Sequence, residues 1–167
     1  MLFRVITPSK WNKKILRQDA SIAGDAISDL RTSNNTLSVW SVADEKSREE
    51  LLDLAVVAAL NRDKLQRVFY VLLEESWLDE QHIIFQSVPG KCDFIKTEYK
   101  DLKSKHIDLK EIDYKQLGIL ANKIDSILKT SSLRFFTDKE LKVKINNLKQ
   151  DGFLTDKFSD KEEKFLN

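Results

Sequence analysis

The sequence predicts an α+β fold: a sheet of about four strands, a buried helix packed on it, and a helical C-terminal part. Three observations carry this. Short apolar runs of strand length recur in the first half, a helix at 48–61 has a second half, 54–60, that is apolar almost all round, and helical spacing dominates the end of the chain. The 167 residues are expected to form a single domain, 1–167, with a sheet-containing part at 1–90 and a mainly helical part at 91–167. A chain of this length buries about 70% of its unfolded surface and needs no disulfide or metal to fold.

In chain order, residues 2–6 form an apolar strand that ends at Thr7-Pro8, where proline can open a helical turn around Trp11 to Leu16. Residues 17–35 read as loop with one short helix. The stretch 36–42 suits a strand covered on both sides. Ser47-Arg48-Glu49-Glu50 matches a capping box and starts the apolar helix. Val68 to Leu73 is continuously apolar and reads as a central strand. A further strand at 82–88 follows a connection, 74–81, short enough for an antiparallel return. The charge-dense stretch 93–111 is connection, edge or short helix. Asp113 caps a helix marked by Leu117, Leu120, Ala121, Ile124, Ile127 and Leu128. Thr137-Asp138-Lys139-Glu140 is a second capping box, Leu141, Ile145 and Leu148 form the stripe of the helix it opens, and Gly152 stops that helix. Phe153, Phe158 and Phe165 can dock the tail as a last helix.

Bulk charge excludes strong global attraction to DNA or an anionic membrane, since 28 basic residues face 27 acidic ones. One cysteine, Cys92, excludes an intramolecular disulfide and a thiolate-rich zinc site, which fits a reducing, cytoplasmic setting. The first residues lack a signal-peptide pattern, and the longest apolar stretch, 54–60, is far below the roughly 20 residues that span a bilayer, so no membrane is expected as a partner. Isolated glycines provide no phosphate loop, and no cofactor is expected.

Candidate chemistry falls in four places. Glu74, Glu75, Asp79, Glu80 and His82 crowd one turn at the end of the central strand, where carboxylates and an imidazole can hold a divalent metal or divide acid and base roles; Asp79, Glu80 and His82 are the metal candidates. Trp77 in the same turn suits a contact surface, as do Trp11 and Trp40 near other turns or strands. Asp79 with Glu98-Tyr99-Lys100 resembles the acid plus E-x-K piece with which restriction-like nucleases hold a metal. Arg4 shares a strand face with Leu2 and Ile6, and together with Ser38 and Glu74 or Glu80 it resembles the arginine, hydroxyl and glutamate set of ADP-ribosyltransferase-like toxins, which implies NAD as a ligand. The helix pair from Ile119 to Leu154 loosely resembles that of winged-helix DNA-binding domains, which implies a second helix presenting Lys139, Lys142, Lys144, Asn146, Asn147 and Lys149 to the major groove.

Because catalytic motifs are missing and three tryptophans sit near turns or strands, the leading expectation is a protein-interaction module without catalytic activity, binding another protein or itself. The alternatives are a small toxin- or defence-type enzyme acting on NAD or nucleic acid, and a DNA-binding protein using the C-terminal helices.

Overall fold

A computed structural model describes residues 1–11, 22–30, 33–131 and 133–166. Its centre is one six-stranded sheet in the order β4-β5-β2-β1-β3-β6, with every neighbouring pair antiparallel. The strands are β1 (Leu2–Ile6), β2 (Leu37–Ser41), β3 (Val68–Leu73), β4 (Phe85–Ser87), β5 (His106–Leu109) and β6 (Arg134–Phe136). The helices are α1 (Pro8–Trp11), α2 (Gly24–Asp29), α3 (Arg48–Leu60), α4 (Glu75–Glu80), α5 (Tyr114–Thr130), α6 (Asp138–Gln150) and α7 (Ser159–Leu166).

The α+β class holds, but the sheet has six strands where about four were expected. Both additional strands come from the part read as mainly helical. β5 pairs with β2 and β4, and β6 pairs with β3, so the two parts interleave in one sheet. Their runs, His-Ile-Asp-Leu and Arg-Phe-Phe, are too short to show a period against charged surroundings. The connection after β3 also differs from the hairpin expected. Residues 75–80 form α4, and β4 shrinks to three residues at the opposite edge of the sheet, paired with β5 and not with β3. His82 accomplishes the turn out of α4 at φ +55, its amide donating to Asp79 O at 3.0 Å.

Strand alternation sends the side chains of the sheet into two cores. Phe3, Tyr70, Leu72 and Phe136 pack against α3, α6 and α7 on one face, while Leu2, Ile6, Val39, Val71 and Leu73 pack against α2 and α5 on the other. The nearly all-apolar sequence of α3 follows from its place. One side lies on the sheet, and the other is covered by α6, α7 and the connection between β4 and β5, so Leu54, Ala55, Val56 and Ala59 are all fully buried. Phe3, Tyr70 and Phe136 stack in series across three strands, with ring centroids 4.8 and 5.6 Å apart.

Local signals set the starts of α5 and α6 and the end of α6. Asp113 and Thr137 each accept from the amide three residues on, and Gln116 and Glu140 complete two reciprocal capping boxes. At the end of α6, Gly152 (φ +73) donates to Lys149 O and Phe153 donates to Leu148 O, the two bonds of a Schellman motif. Ser47 departs from expectation: its side chain makes no cap bond, its amide donates to Asp44 O, and the Glu50 carboxylate accepts instead from the amide of Ala43 and from Lys105. The far end of α3 is closed from a distance, where the Lys161 ammonium donates to the carbonyls of Leu60 and Arg62 at 2.8 and 2.6 Å. Within the expected turn at 11–16, Trp11 ends α1 and residues 12–16 lie outside the described residues.

Two substitutions test this packing. Leu72, 7% exposed in the α3 core, is expected to lose about 2–5 kcal/mol on Leu72→Ala, read from urea unfolding. At Gly90 an added Cβ would lie 2.5 Å from Trp40 Cη2 and 2.7 Å from His106 Cβ, so Gly90→Ala is expected to destabilise by about 1–3 kcal/mol through overpacking.

Candidate functional site

Asp53 is 1% exposed, a charged side chain enclosed within the otherwise apolar α3. Burying a carboxylate is costly unless its oxygens are saturated. Here they are. Oδ1 accepts from Tyr99 Oη at 2.8 Å and pairs with Lys144 Nζ at 3.0 Å, and Oδ2 accepts from Lys100 Nζ at 2.9 Å. Glu49, one helical turn earlier, pairs with the same two lysines at 2.7 and 3.6 Å. Both ammonium groups also lie over the Tyr99 ring, 5.3 and 5.5 Å from its centroid. Three segments distant in sequence therefore converge: the first turns of α3, the middle of α6 and the connection between β4 and β5.

The electrostatics favour fixed charge. Burial lowers the basicity of the Lys100 and Lys144 ammonium groups, but hydrogen bonds to Glu49 and Asp53 at Lys100, and to Tyr99 and Asp53 at Lys144, more than reverse it, so both lysines stay protonated. Hydrogen bonding to Lys100 holds the Glu49 carboxyl below its ordinary range. Burial pushes Glu50 up, yet Lys105 and the Ala43 amide together take it below. Burial raises the Tyr99 phenol, which stays neutral and donates. Two lysines offset two carboxylates, and none of these groups is poised as a base or nucleophile near neutral pH. Lys100 reaches this position from a left-handed backbone at φ +50, a conformation with a cost for any residue bearing a Cβ.

A second feature lies at the far end of β3. β6 pairs only with Val68, Phe69 and Tyr70, so the outer edge of β3 from Val71 onward has no strand beside it among the described residues. A cavity of about 160 Å³ opens there. Val71 and Leu72 form its floor and Ile127, Leu128 and Leu133 its apolar wall, with Glu74 and Lys123 at the rim. The Lys123 ammonium sits 5.1 Å from the centre of the half-buried Trp77 ring, placing that indole beside the cleft.

The sequence-derived candidates divide unevenly between these places. Glu74 and Trp77 border the cleft, whereas Asp79, Glu80 and His82 are exposed around α4 and its turn. Among the described residues no group of three or more histidines, cysteines or acids is arranged to hold a metal. Trp11 is a core residue, 5% exposed, its indole donating to Asp29 Oδ2 at 2.7 Å, and the half-buried Trp40 packs over Gly90 and edge-on to His106. Arg4 does face the same side as Leu2 and Ile6, and it does meet β2, donating to Ser38 O and Asp29 O at 2.8 Å each. Burial pushes its guanidinium below the ordinary arginine value, with Asp29 opposing, and its Nε has no hydrogen-bond partner among the described residues. The Ser38 hydroxyl lies on the other face, directed at Asp108 Oδ1 3.4 Å away. Of Glu98-Tyr99-Lys100, Glu98 is exposed in a turn, and the next two residues serve Asp53.

The helix pair of a winged-helix unit is not formed. α5 and α6 pack on opposite faces of the sheet, and the segment joining them supplies β6. On α6, Lys144 is held by Asp53 and Lys149 by Glu162, while Lys139 is exposed and Lys142 and Asn146 are half-buried. Asp53 and Glu49 were not singled out from the sequence. The available signal was a lone acid, Asp53, between Leu51-Leu52 and Leu54 in a helix with almost no other polar residue.

Asp53→Ala removes one of the two carboxylates shared by Lys100 and Lys144, leaving Glu49 to both, and is expected to cost about 1–3 kcal/mol, against about 1 kcal/mol for Tyr99→Phe, both read by urea unfolding. With folded-state values below the ordinary 4.5, Glu49 and Glu50 contribute fully above that pH and lose the contribution as pH falls through their folded values. The urea midpoint should therefore drop in acid, and less steeply in Glu50→Gln. Comparison of this chain with protein-family models, curated proteins and solved structures finds no match.

Proposed function

We propose that this chain is a protein-interaction module that receives a partner at the cleft on the outer edge of β3, between the last turns of α5 and Trp77. The observation that supports this is the coincidence of an open strand edge with a cleft of mixed lining, in which Ile127, Leu128 and Leu133 stand beside Glu45, Glu74, Lys123 and Arg134. Alternate residues of an antiparallel strand direct both backbone groups to the same side, so an edge without a neighbour presents hydrogen-bonding groups that an extended segment can match. Val71, Ile127, Leu128 and Leu133 supply the apolar surface for its side chain, and Trp77 with Lys123 supplies an amphipathic rim of the kind that carries binding energy.

The charge distribution at Asp53 agrees with this reading. The buried Asp53 carboxylate is satisfied by Tyr99, Lys100 and Lys144, which tie three segments of the fold together. The recognition surface is then a separate place on a scaffold held rigid by that network, an arrangement suited to presenting a preformed edge.

The test is a purified partner recovered on the native chain, with affinity measured by calorimetry. Trp77→Ala is expected to weaken binding by about 2 kcal/mol or more, and Leu133→Asp to weaken it similarly, with the fold retained by circular dichroism. Unchanged affinity in both variants would remove the cleft from consideration, and a chain that binds nothing and remains a monomer by light scattering would remove the module itself.

A further inference from the structure

The connection between β4 and β5 is closed at its base. The Val88 amide donates to His106 O at 3.2 Å, and the Gly90 amide donates to Lys103 O at 2.9 Å, so the loop leaves the sheet and returns to it at the same point. Between those rungs, residues 91–102 lie across the α3 side of the molecule as a compact loop packed by its own side chains. Cys92, Ile95 and Leu102 are 5, 4 and 3% exposed beneath it.

Little backbone joins this loop to the rest of the body. Among the described residues, Lys96 N donates to Phe153 O at 2.8 Å, Thr155 N to Phe94 O at 3.0 Å, and Thr155 Oγ1 to Asp93 O at 2.8 Å. The remaining hold includes its apolar side chains, the Lys161 ammonium 4.7 Å from the centre of the Phe94 ring, and the grip of Tyr99 on Asp53 and of Lys100 on Asp53 and Glu49. Lys100 makes that grip from a left-handed backbone, so releasing Asp53 and Glu49 also relieves local strain.

We propose that residues 91–102 form a strap that lifts from the α3 face as one unit while the sheet stays folded, with the Asp53 carboxylate as the latch that holds it shut. Lifting breaks the two side-chain bonds to Asp53 and the short pairing to 153–155, leaves the rungs at Gly90 and Val88 in place, and bares Cys92 with the apolar surface under it. Such local opening draws on the least backbone-bonded part of a fold. The strap lies apart from the β3 cleft and does not depend on the interaction reading.

Cys92 is the only cysteine of the chain, and burial pushes its thiol up to about 11, so it reacts slowly while covered and reports directly on uncovering. The full chain is treated with the aromatic disulfide 5,5′-dithiobis(2-nitrobenzoate) at neutral pH without denaturant. Attack by the thiolate forms a mixed disulfide and releases one coloured thiolate. The wild-type chain is expected to label faster than its global unfolding equilibrium allows, at a rate insensitive to low urea. Lys100→Met is expected to accelerate labelling on the order of tenfold, as loss of a charged hydrogen bond at the latch implies, with a smaller effect from Tyr99→Phe. Lys149→Ala, which breaks the exposed pair with Glu162, should leave the rate unchanged. In parallel, amides 94–102 are expected to exchange hydrogen ahead of those in β1 and β2. Labelling that tracks global stability in every variant, or a wild-type rate in Lys100→Met, would overturn the strap; if Asp53→Asn fails to fold, Lys100→Met carries the test alone.

Discussion

A carboxylate enclosed in an apolar helix has to be answered on every open lone pair, and much of this architecture is the answer to Asp53. α3 can lie against the sheet and still be covered on its outer side only because the covering segments bring Tyr99, Lys100 and Lys144 to one point. Continuum arguments make such a buried ionic cluster a poor source of net stability compared with apolar packing of equal volume. Its effect is on arrangement. Shifting α6 along α3 by one turn, or letting the β4–β5 connection settle elsewhere, would leave charge in the core without a partner, so alternative packings of the same apolar surfaces are penalised.

Around that point the rest is conventional sheet and helix energetics. β5, β2, β1 and β3 form the sheet's interior, and β3 is packed on both faces, which is why Val68 to Leu73 reads as an unbroken apolar run with no alternation. The two boundary strands, β4 and β6, are only three residues each. Short edges limit unwanted pairing along a sheet. Where β6 stops early, the edge of β3 is framed by α5 side chains and charged residues.

How much of this was legible in the sequence depended on whether the signal was local. The ends of α5 and α6 could be read because each is set by residues within a few positions: Asp113 with Gln116, Thr137 with Glu140, and Gly152 after Leu148. The shared face of Leu2, Arg4 and Ile6 followed from strand alternation, and the apolar run of α3 announced burial on all sides. β5 and β6 were missed because their strand character is conferred by the partners β2 and β3, across 70 and 64 residues from Ser38 to Asp108 and from Tyr70 to Arg134. The Ser47 capping box failed for a similar reason, since Lys105 competes for Glu50 from far along the chain. Asp53 stood out as a lone acid among leucines, but nothing near it in sequence identifies Tyr99, Lys100 and Lys144 as its partners.

The sheet order has a consequence for how the chain emerges during synthesis. β1 is made first and lies near the middle, yet its neighbour β3 ends at Leu73, β2 waits for β5 at His106–Leu109, and the edge closes only with β6 at Arg134–Phe136. The Asp53 carboxylate gains its last cation when Lys144 appears, still later. A nascent chain halted before that residue carries a helix whose apolar side lacks its α6 cover and whose buried acid lacks one of its two lysines. Pairings that reach this far along the chain form slowly and leave partly built sheets exposed in the interval. The ribosome must therefore deliver most of the polypeptide before its first strand is enclosed, and the nascent protein spends that time as a client for whatever shields unfinished chains.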